Sequence, residues 1–302
     1  MKIGLPRALL YYRYQHLWTD FFCRLGHEVV VSPETNPQIL AQGIWYSVDE
    51  SCLPGKIFLG HVQYLIGKCD YILIPRIDNF GINEKVCVKL NALCDVVRNT
   101  FPFAPVLDYN IDAEKGKSEV RAFIQLGKTL AHSAHQSVCA YRGAADFARH
   151  VQQKEYAAQL KKLASSAPKI LLIGHSYVLS DRCAGAAVAR GLERLGACVL
   201  KADKLSSTLT AQTAAFNAPN LYWTFNKELF GAAAAYKPHL DGMVYVTAFP
   251  CGVDALAHEF ALRRLKGVPS CHIVVDEAQG DTGLSTRLES FMDILHARRL
   301  AK

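Results

Sequence analysis

Gly242-Met243-Val244-Tyr245-Val246-Thr247 runs straight into Ala248-Phe249-Pro250-Cys251-Gly252-Val253-Asp254. The first stretch is almost continuously apolar and rich in β-branched and aromatic residues, which suits a strand buried on both faces. Pro250 fixes the turn, Gly252 lets backbone come close, and helical spacing takes over from Asp254 to Leu265. A buried strand feeding a helix is the repeating unit of a parallel sheet covered on both sides. The same alternation surrounds it. Strands are predicted at Lys169–Ile173, Cys198–Ala202 and Cys271–Asp276, with helices at Ala184–Leu195, Lys227–Tyr236 and Leu284–His296.

The first half reads the same way. Lys2–Leu5, His27–Ser32, Asp70–Ile77 and Val106–Tyr109 are strand-like. Ala8–Leu25, Leu53–Gly67 and Val88–Arg98 have helical spacing, the first ending at Gly26 as a C-cap. From Ser118 to Ser165 the pattern is helical without a strand, and Ser165-Ser166-Ala167-Pro168 breaks it. The expected architecture is therefore α/β: two doubly wound, flavodoxin-like parallel-sheet domains, residues 1–117 and 166–302, joined by a helical connector at 118–165. No repeat at fixed period is visible. In such sheets ligands bind beyond the carboxyl ends of the strands.

The bulk numbers bound the function. With 302 residues, half of them hydrophobic, the chain can bury a large core, and 20% charged residues argue against disorder. Net charge is +7, without a Lys/Arg block or a nucleic-acid motif, so no nucleic-acid partner is expected. No stretch of about 20 apolar residues could span a bilayer, so no membrane is expected. Met1-Lys2-Ile3-Gly4-Leu5-Pro6 is not a signal peptide. The chain is therefore expected in the cytoplasm with its ten cysteines reduced, where spaced cysteines mean metal or catalysis more often than disulfides.

Three cysteines have settings suited to metal: Cys52 in Asp49-Glu50-Ser51-Cys52-Leu53-Pro54, Cys87 in Lys85-Val86-Cys87-Val88-Lys89, and Cys251. Each lies at a loop-to-helix junction close to a strand, where the helix dipole and unpaired amides favour an anionic sulfur. Their spacing alone is weak evidence. There is no Cys-x-x-Cys pair, so zinc-ribbon and ferredoxin patterns are absent. Cys23, Cys69, Cys94, Cys198 and Cys271 fall within or at the ends of helix and strand patterns and fit the ordinary role of a small buried hydrophobe. Cys139 and Cys183 fit either role. No Gly-x-x-x-x-Gly-Lys-Ser/Thr loop exists to fire ATP by that route.

At these residues the chain resembles activase-associated proteins related to the iron–sulfur subunits of 2-hydroxyacyl-CoA dehydratases, a group that includes double-cubane cluster proteins. The likeness is carried by Lys2-Ile3-Gly4-Leu5-Pro6-Arg7-Ala8-Leu9, by Ser32-Pro33-Glu34-Thr35-Asn36, and by the Cys52 segment with Gly60-His61. It continues in Ile74-Pro75-Arg76, Val97-Arg98-Asn99-Thr100, Ile173-Gly174-His175-Ser176-Tyr177 and the Cys251 segment. It closes on Asp276-Glu277 and Gly280-Asp281-Thr282-Gly283-Leu284-Ser285-Thr286-Arg287-Leu288-Glu289. Val88 departs from it, since the family commonly has Pro there, and so does Ser180-Asp181-Arg182-Cys183. Neither departure removes an implied ligand.

The resemblance implies a [4Fe–4S] iron–sulfur cluster held by Cys52, Cys87 and Cys251 in an interdomain cleft, with a double cubane as the alternative. It implies an ATP-dependent activase as electron donor and a small-molecule or acyl-CoA substrate that is reduced or dehydrated. A homo- or heterodimer fits the group. Glu50 and His175 are the catalytic candidates, and His61, Asp254 and Glu277 are further groups able to hydrogen-bond a cluster sulfur or substrate. The rival expectations are a non-catalytic accessory or electron-relay protein with a structural cluster, and a cluster-free binding protein.

Overall fold

Eight runs of aliphatic and β-branched residues become strands, four in each of two parallel sheets. The structure is a computed structural model that describes residues 1–278 and 281–300. Gly280 of the closing signature lies outside the described residues. The chain divides into two units, residues 1–153 with 222–224, and residues 154–221 with 225 onward.

The first unit runs β1 (Lys2–Leu5), α1 (Tyr11–Arg24), β2 (Glu28–Val31), α2 (Pro37–Trp45), α3 (Leu53–Leu65), β3 (Tyr71–Asn79), α4 (Val88–Thr100), β4 (Val106–Asp112), α5 (Glu119–Thr129) and most of α6 (Ala134–Lys162). Its sheet order is β2-β1-β3-β4, every pair parallel. Ile3, Leu5, Ile72, Ile74 and Ile77 are fully buried, because helices cover both faces of the two central strands.

The second unit continues with β5 (Lys169–Ile173), α7 (Ser176–Leu179), α8 (Ala186–Arg194), β6 (Cys198–Lys201), α9 (Thr208–Asn217), α10 (Thr224–Tyr236), β7 (Gly242–Ala248), α11 (Gly252–Arg264), β8 (Ser270–Val275) and α12 (Asp281–Leu300). Its order is β6-β5-β7-β8, again all parallel. All seven residues of β7 are buried, as its unbroken apolar run requires. Both units are thus doubly wound, flavodoxin-like sheets with the same strand order. The repetition is one of element order, which is why no periodic sequence signal accompanies it.

Each unit inserts a helix pair between its second and third strands. In the first, α2 and α3 cross backbone to backbone. A Cβ on Gly43 would fall well under 3.0 Å from the Lys56 carbonyl oxygen, and one on Gly60 would meet the Ile39 carbonyl in the same way. In the second, a Cβ on Gly231 of α10 would collide with the Thr210 carbonyl of α9. The leading helix of each pair is absent from the expected elements. Its signal is a cap: Asn36 accepts hydrogen bonds from the Gln38 and Ile39 amides at 3.0 Å ahead of Pro37, and Ser207 forms a capping box with Thr210. Among the described residues no helix is long and apolar enough to cross a membrane.

Candidate functional site

Cys52, Cys87 and Cys251 are each the residue immediately before a 13-residue helix, α3, α4 and α11 respectively. All three have extended backbone and half-buried side chains. Cys87 and Cys251 occupy equivalent places, at the start of the helix that follows the third strand of each sheet. The Cys52 and Cys87 side chains cap nothing, whereas Cys251 Sγ accepts the Asp254 amide at 3.5 Å. Each thiol therefore stands beside the unpaired amides of a helix N-terminus, the local field suited to an anionic ligand.

In the first unit, the helix behind Cys52 is anchored by His61. Its ring is fully buried, with Nδ1 2.8 Å from Ser32 Oγ and Nε2 3.0 Å from Thr35 Oγ1. Ser32 Oγ in turn accepts the Arg7 amide at 2.8 Å. One histidine therefore ties α3 to the segments that leave the carboxyl ends of β1 and β2. Both ring nitrogens are committed to hydroxyls, so His61 positions Cys52 rather than meeting a ligand.

Burial, helped by the Arg7 charge, pushes the His61 pKa down to about 4 from 6.5. A folded pKa below the unfolded value means the unfolded chain binds the extra proton between pH 6.5 and 4. This part of the stability is complete above pH 6.5 and falls away toward pH 4. It amounts to on the order of 3 kcal/mol. Unfolding of the first unit in urea should show this loss on acidification. His61→Gln should be less stable at pH 7 and should lose most of that slope; an unchanged slope would assign the titration elsewhere.

The loop that delivers Cys87 is held by a short parallel bridge. Lys85 N donates to the Tyr222 carbonyl at 2.9 Å, Thr224 N donates to the Lys85 carbonyl at 2.8 Å, and Thr224 Oγ1 donates to Glu84 Oε2 at 2.8 Å. Below it, Asn79 donates to Asp112 at 2.8 Å and accepts the Glu114 amide at 3.0 Å, while Asn91 on α4 donates to Asp78 at 2.8 Å. These bonds fix the carboxyl end of β3 and the first turn of α4, and so the direction in which Cys87 is presented.

In the second unit, Cys251 begins a buried polar chain. Asp254 Oδ1 accepts from His175 Nε2 at 2.8 Å and from Asn226 Nδ2 at 2.9 Å. Both His175 and Asp254 are buried, and His175 stacks on Tyr177 with ring centroids 4.9 Å apart. Burial opposes the imidazolium, but the adjacent Asp254 carboxylate outweighs it and raises the His175 pKa. Burial likewise opposes the Asp254 charge, and His175 outweighs it, holding the carboxyl well below the usual range. Because a carboxylate can only accept, His175 carries its proton on Nε2. Deeper in, Thr247 Oγ1 bonds His258 Nδ1 at 2.8 Å and His272 Nε2 at 2.9 Å. His258 Nε2 is buried without a partner, and burial pushes this ring down to about 4.

Asn226, Thr247, His258 and His272 lie outside the expected site set. Nothing local in the sequence marks Asn226, but Thr247 is the single aliphatic hydroxyl in an apolar strand and signals that a polar partner lies beneath it. Glu50 is exposed on the turn before Cys52, and Glu277 is exposed after β8. Burial raises the thiol pKa of Cys69, Cys94 and Cys271, three of the cysteines expected to pack, and of Cys183, which fits either role. Cys183 N donates to Asp181 at 2.9 Å, and Cys139 faces His135 one turn away on α6 at 3.7 Å. Among the described residues, neither unit gathers three or more His, Cys, Asp or Glu side chains into a group able to hold a metal ion.

Three solved structures bear a distant likeness to the chain. The SBP FpvC of P. aeruginosa in complex with Ni2+ aligns with 12% identity and a TM-score of 0.31, covering 100% of this chain and 98% of that one. A mutant FpvC from Pseudomonas aeruginosa aligns with 15% identity and 0.29, covering 98% and 100%. FpvC in complex with Mn2+ gives 14% and 0.28, covering 98% and 95%. Scores this low assign neither fold nor ligand. No curated protein matches the sequence. The sequence model of the CoA enzyme activase uncharacterised domain (DUF2229) matches residues 2–205, from β1 through β6 and so through both Cys52 and Cys87, and the chain belongs to that family.

Proposed function

We propose that the protein is an iron–sulfur redox component of an activase system, with Cys52, Cys87 and Cys251 as thiolate ligands of a [4Fe–4S] cluster. The observation that carries this reading is the common placement of the three cysteines, each directly before a long helix in a chain tied by family to CoA-enzyme activases. The donor set fits the group: thiols are the usual ligands of such clusters, and helix N-termini favour their anionic form. When bound, such a cluster supplies one-electron chemistry and, with three protein ligands, an open iron position.

The chain's own residues would tune that chemistry. The Asp254 amide directed at Cys251 Sγ is a hydrogen bond of the kind that raises a cluster's potential. His175 keeps its proton on Nε2 against Asp254, placing a buried donor–carboxylate pair within the same network as Cys251. An ATP-dependent activase would supply the electron, and a small molecule or acyl-CoA would be reduced or dehydrated. One observation favours the alternative, a non-catalytic electron relay: His61, His175 and Asp254 are all committed to protein partners, which leaves exposed Glu50 as the acid–base candidate.

Protein purified without oxygen should be brown and contain iron and sulfide in near-equal amounts. Cys52→Ala, Cys87→Ala and Cys251→Ala should each lose most of the iron, while Cys94→Ala, at a fully buried packing position, should keep it. Metal analysis with an electron paramagnetic resonance spectrum reads the result. Full iron loading in all three variants would overturn the assignment. Turnover with an activase then separates enzyme from relay.

A further inference from the structure

At the end of the second unit's sheet opposite Cys251, the segments leading into β7 and β8 border an open cleft of about 490 Å³. Its floor is apolar, from Leu240, Pro269 and Leu295, and its rim carries Lys237, Lys266, Arg298 and Arg299. Asp241 is the sole carboxylate among the lining residues, and it already accepts the Lys169 amide at 2.8 Å. Arg299 donates to the Ser166 carbonyl at 2.7 Å. Lys237, Lys266 and Arg298 pair with no carboxylate among the described residues.

Basic side chains often gather at helix C-termini, and α10, α11 and α12 all end near this cleft. That ordinary role does not use up the charge. Each helix end contributes roughly half a negative charge. Four cations against one carboxylate and three such ends leave the rim positive by more than a unit charge. A volume in the range of small-ligand sites, an apolar floor and a surplus of cations together define an amphipathic anion.

We propose that this cleft binds a phosphate-bearing organic anion of nucleotide size. The phosphates lie on Lys237, Lys266 and Arg298, and the ring system lies on the floor of Leu240, Pro269 and Leu295. The site is independent of the cysteines and of any cluster. Its location at the amino ends of the strands separates it from the carboxyl-end site of the same unit.

Calorimetric titration of the full chain with ADP and with inorganic pyrophosphate, both without divalent cations, tests this. ADP should bind, and binding should weaken on raising salt from about 50 to 300 mM. Pyrophosphate should bind roughly tenfold more weakly, because it lacks a ring for the floor. Lys266→Glu with Arg298→Glu, both exposed positions, should weaken ADP by at least about tenfold with an unchanged circular dichroism spectrum. Lys237→Gln should weaken it less. Absence of ADP binding at millimolar concentration, or binding indifferent to the charge reversals, would overturn the proposal. Pyrophosphate binding as tightly as ADP would overturn the organic, ring-bearing part of it.

Discussion

Gly60→Ala should unfold the first unit at a markedly lower urea concentration than the parent protein. Alanine is the better helix former by about 1 kcal/mol, so propensity alone predicts the opposite. The crossing geometry decides the sign. A Cβ at Gly60 would collide with the Ile39 carbonyl of α2, and backbone cannot swing aside as a flexible side chain would. Overpacking of this kind typically costs about 1–3 kcal/mol and more where backbone must move. With backbone as the obstacle the cost lies at or above the upper end of that range, so the net loss should be about 2 kcal/mol or more after the propensity gain.

Gly55→Ala on the same helix is the control, since its Cβ would meet nothing closer than Cys52 Sγ at 3.5 Å. That variant should be neutral or slightly stabilised. All three tryptophans, Trp18, Trp45 and Trp223, belong to the first unit, so their fluorescence reports its unfolding selectively. A Gly60→Ala midpoint equal to the parent's would show that α2 and α3 can part at little cost. Gly43→Ala should behave as Gly60→Ala does, and the two losses should not add, because one separation of the helices relieves both.

Asp254→Ala should be the most damaging single change in the second unit. It removes the acceptor of two buried hydrogen bonds and leaves His175 and Asn226 facing each other without a carboxylate. Removing one member of a buried pair typically costs about 3–5 kcal/mol, because the partner remains desolvated and unmatched. Asp254→Asn keeps an acceptor oxygen and the shape but loses the charge, so it should fall between parent and Ala. Hydrogen exchange of β5 and β7 amides follows the second unit directly. Equal protection in Asp254→Ala and parent would show that the pair contributes nothing net.

The architecture was legible where one kind of signal dominated. The unbroken apolar run of β7 and the glycine after α1 fixed strands and helices to within a few residues, because burial on both faces leaves no alternative pattern. The helices that open each inserted pair were not legible. α2 and α9 are short, and each is specified by a cap and by a glycine contact with its neighbour rather than by an amphipathic stripe. The cysteines could be singled out because loop-to-helix junctions leave a local trace of Pro, Gly and strand end. His61, His175 and Asp254 could be singled out too, but not the partners that hold them. His61 acts through Ser32 and Thr35, and Asp254 through His175 and Asn226, across separations of 26 to 79 residues that no local window spans.

The glycine crossing of α2 and α3 also has a mechanical side. With no layer of side chains between them, the two helices cannot slide and must turn as one stiff lever. One arm of that lever ends at Cys52. The other is pinned by Asn36 and by the His61 link to Ser32 and Thr35. A pull on the cysteine would not be absorbed locally; it would be delivered, almost undamped, to the carboxyl ends of β1 and β2.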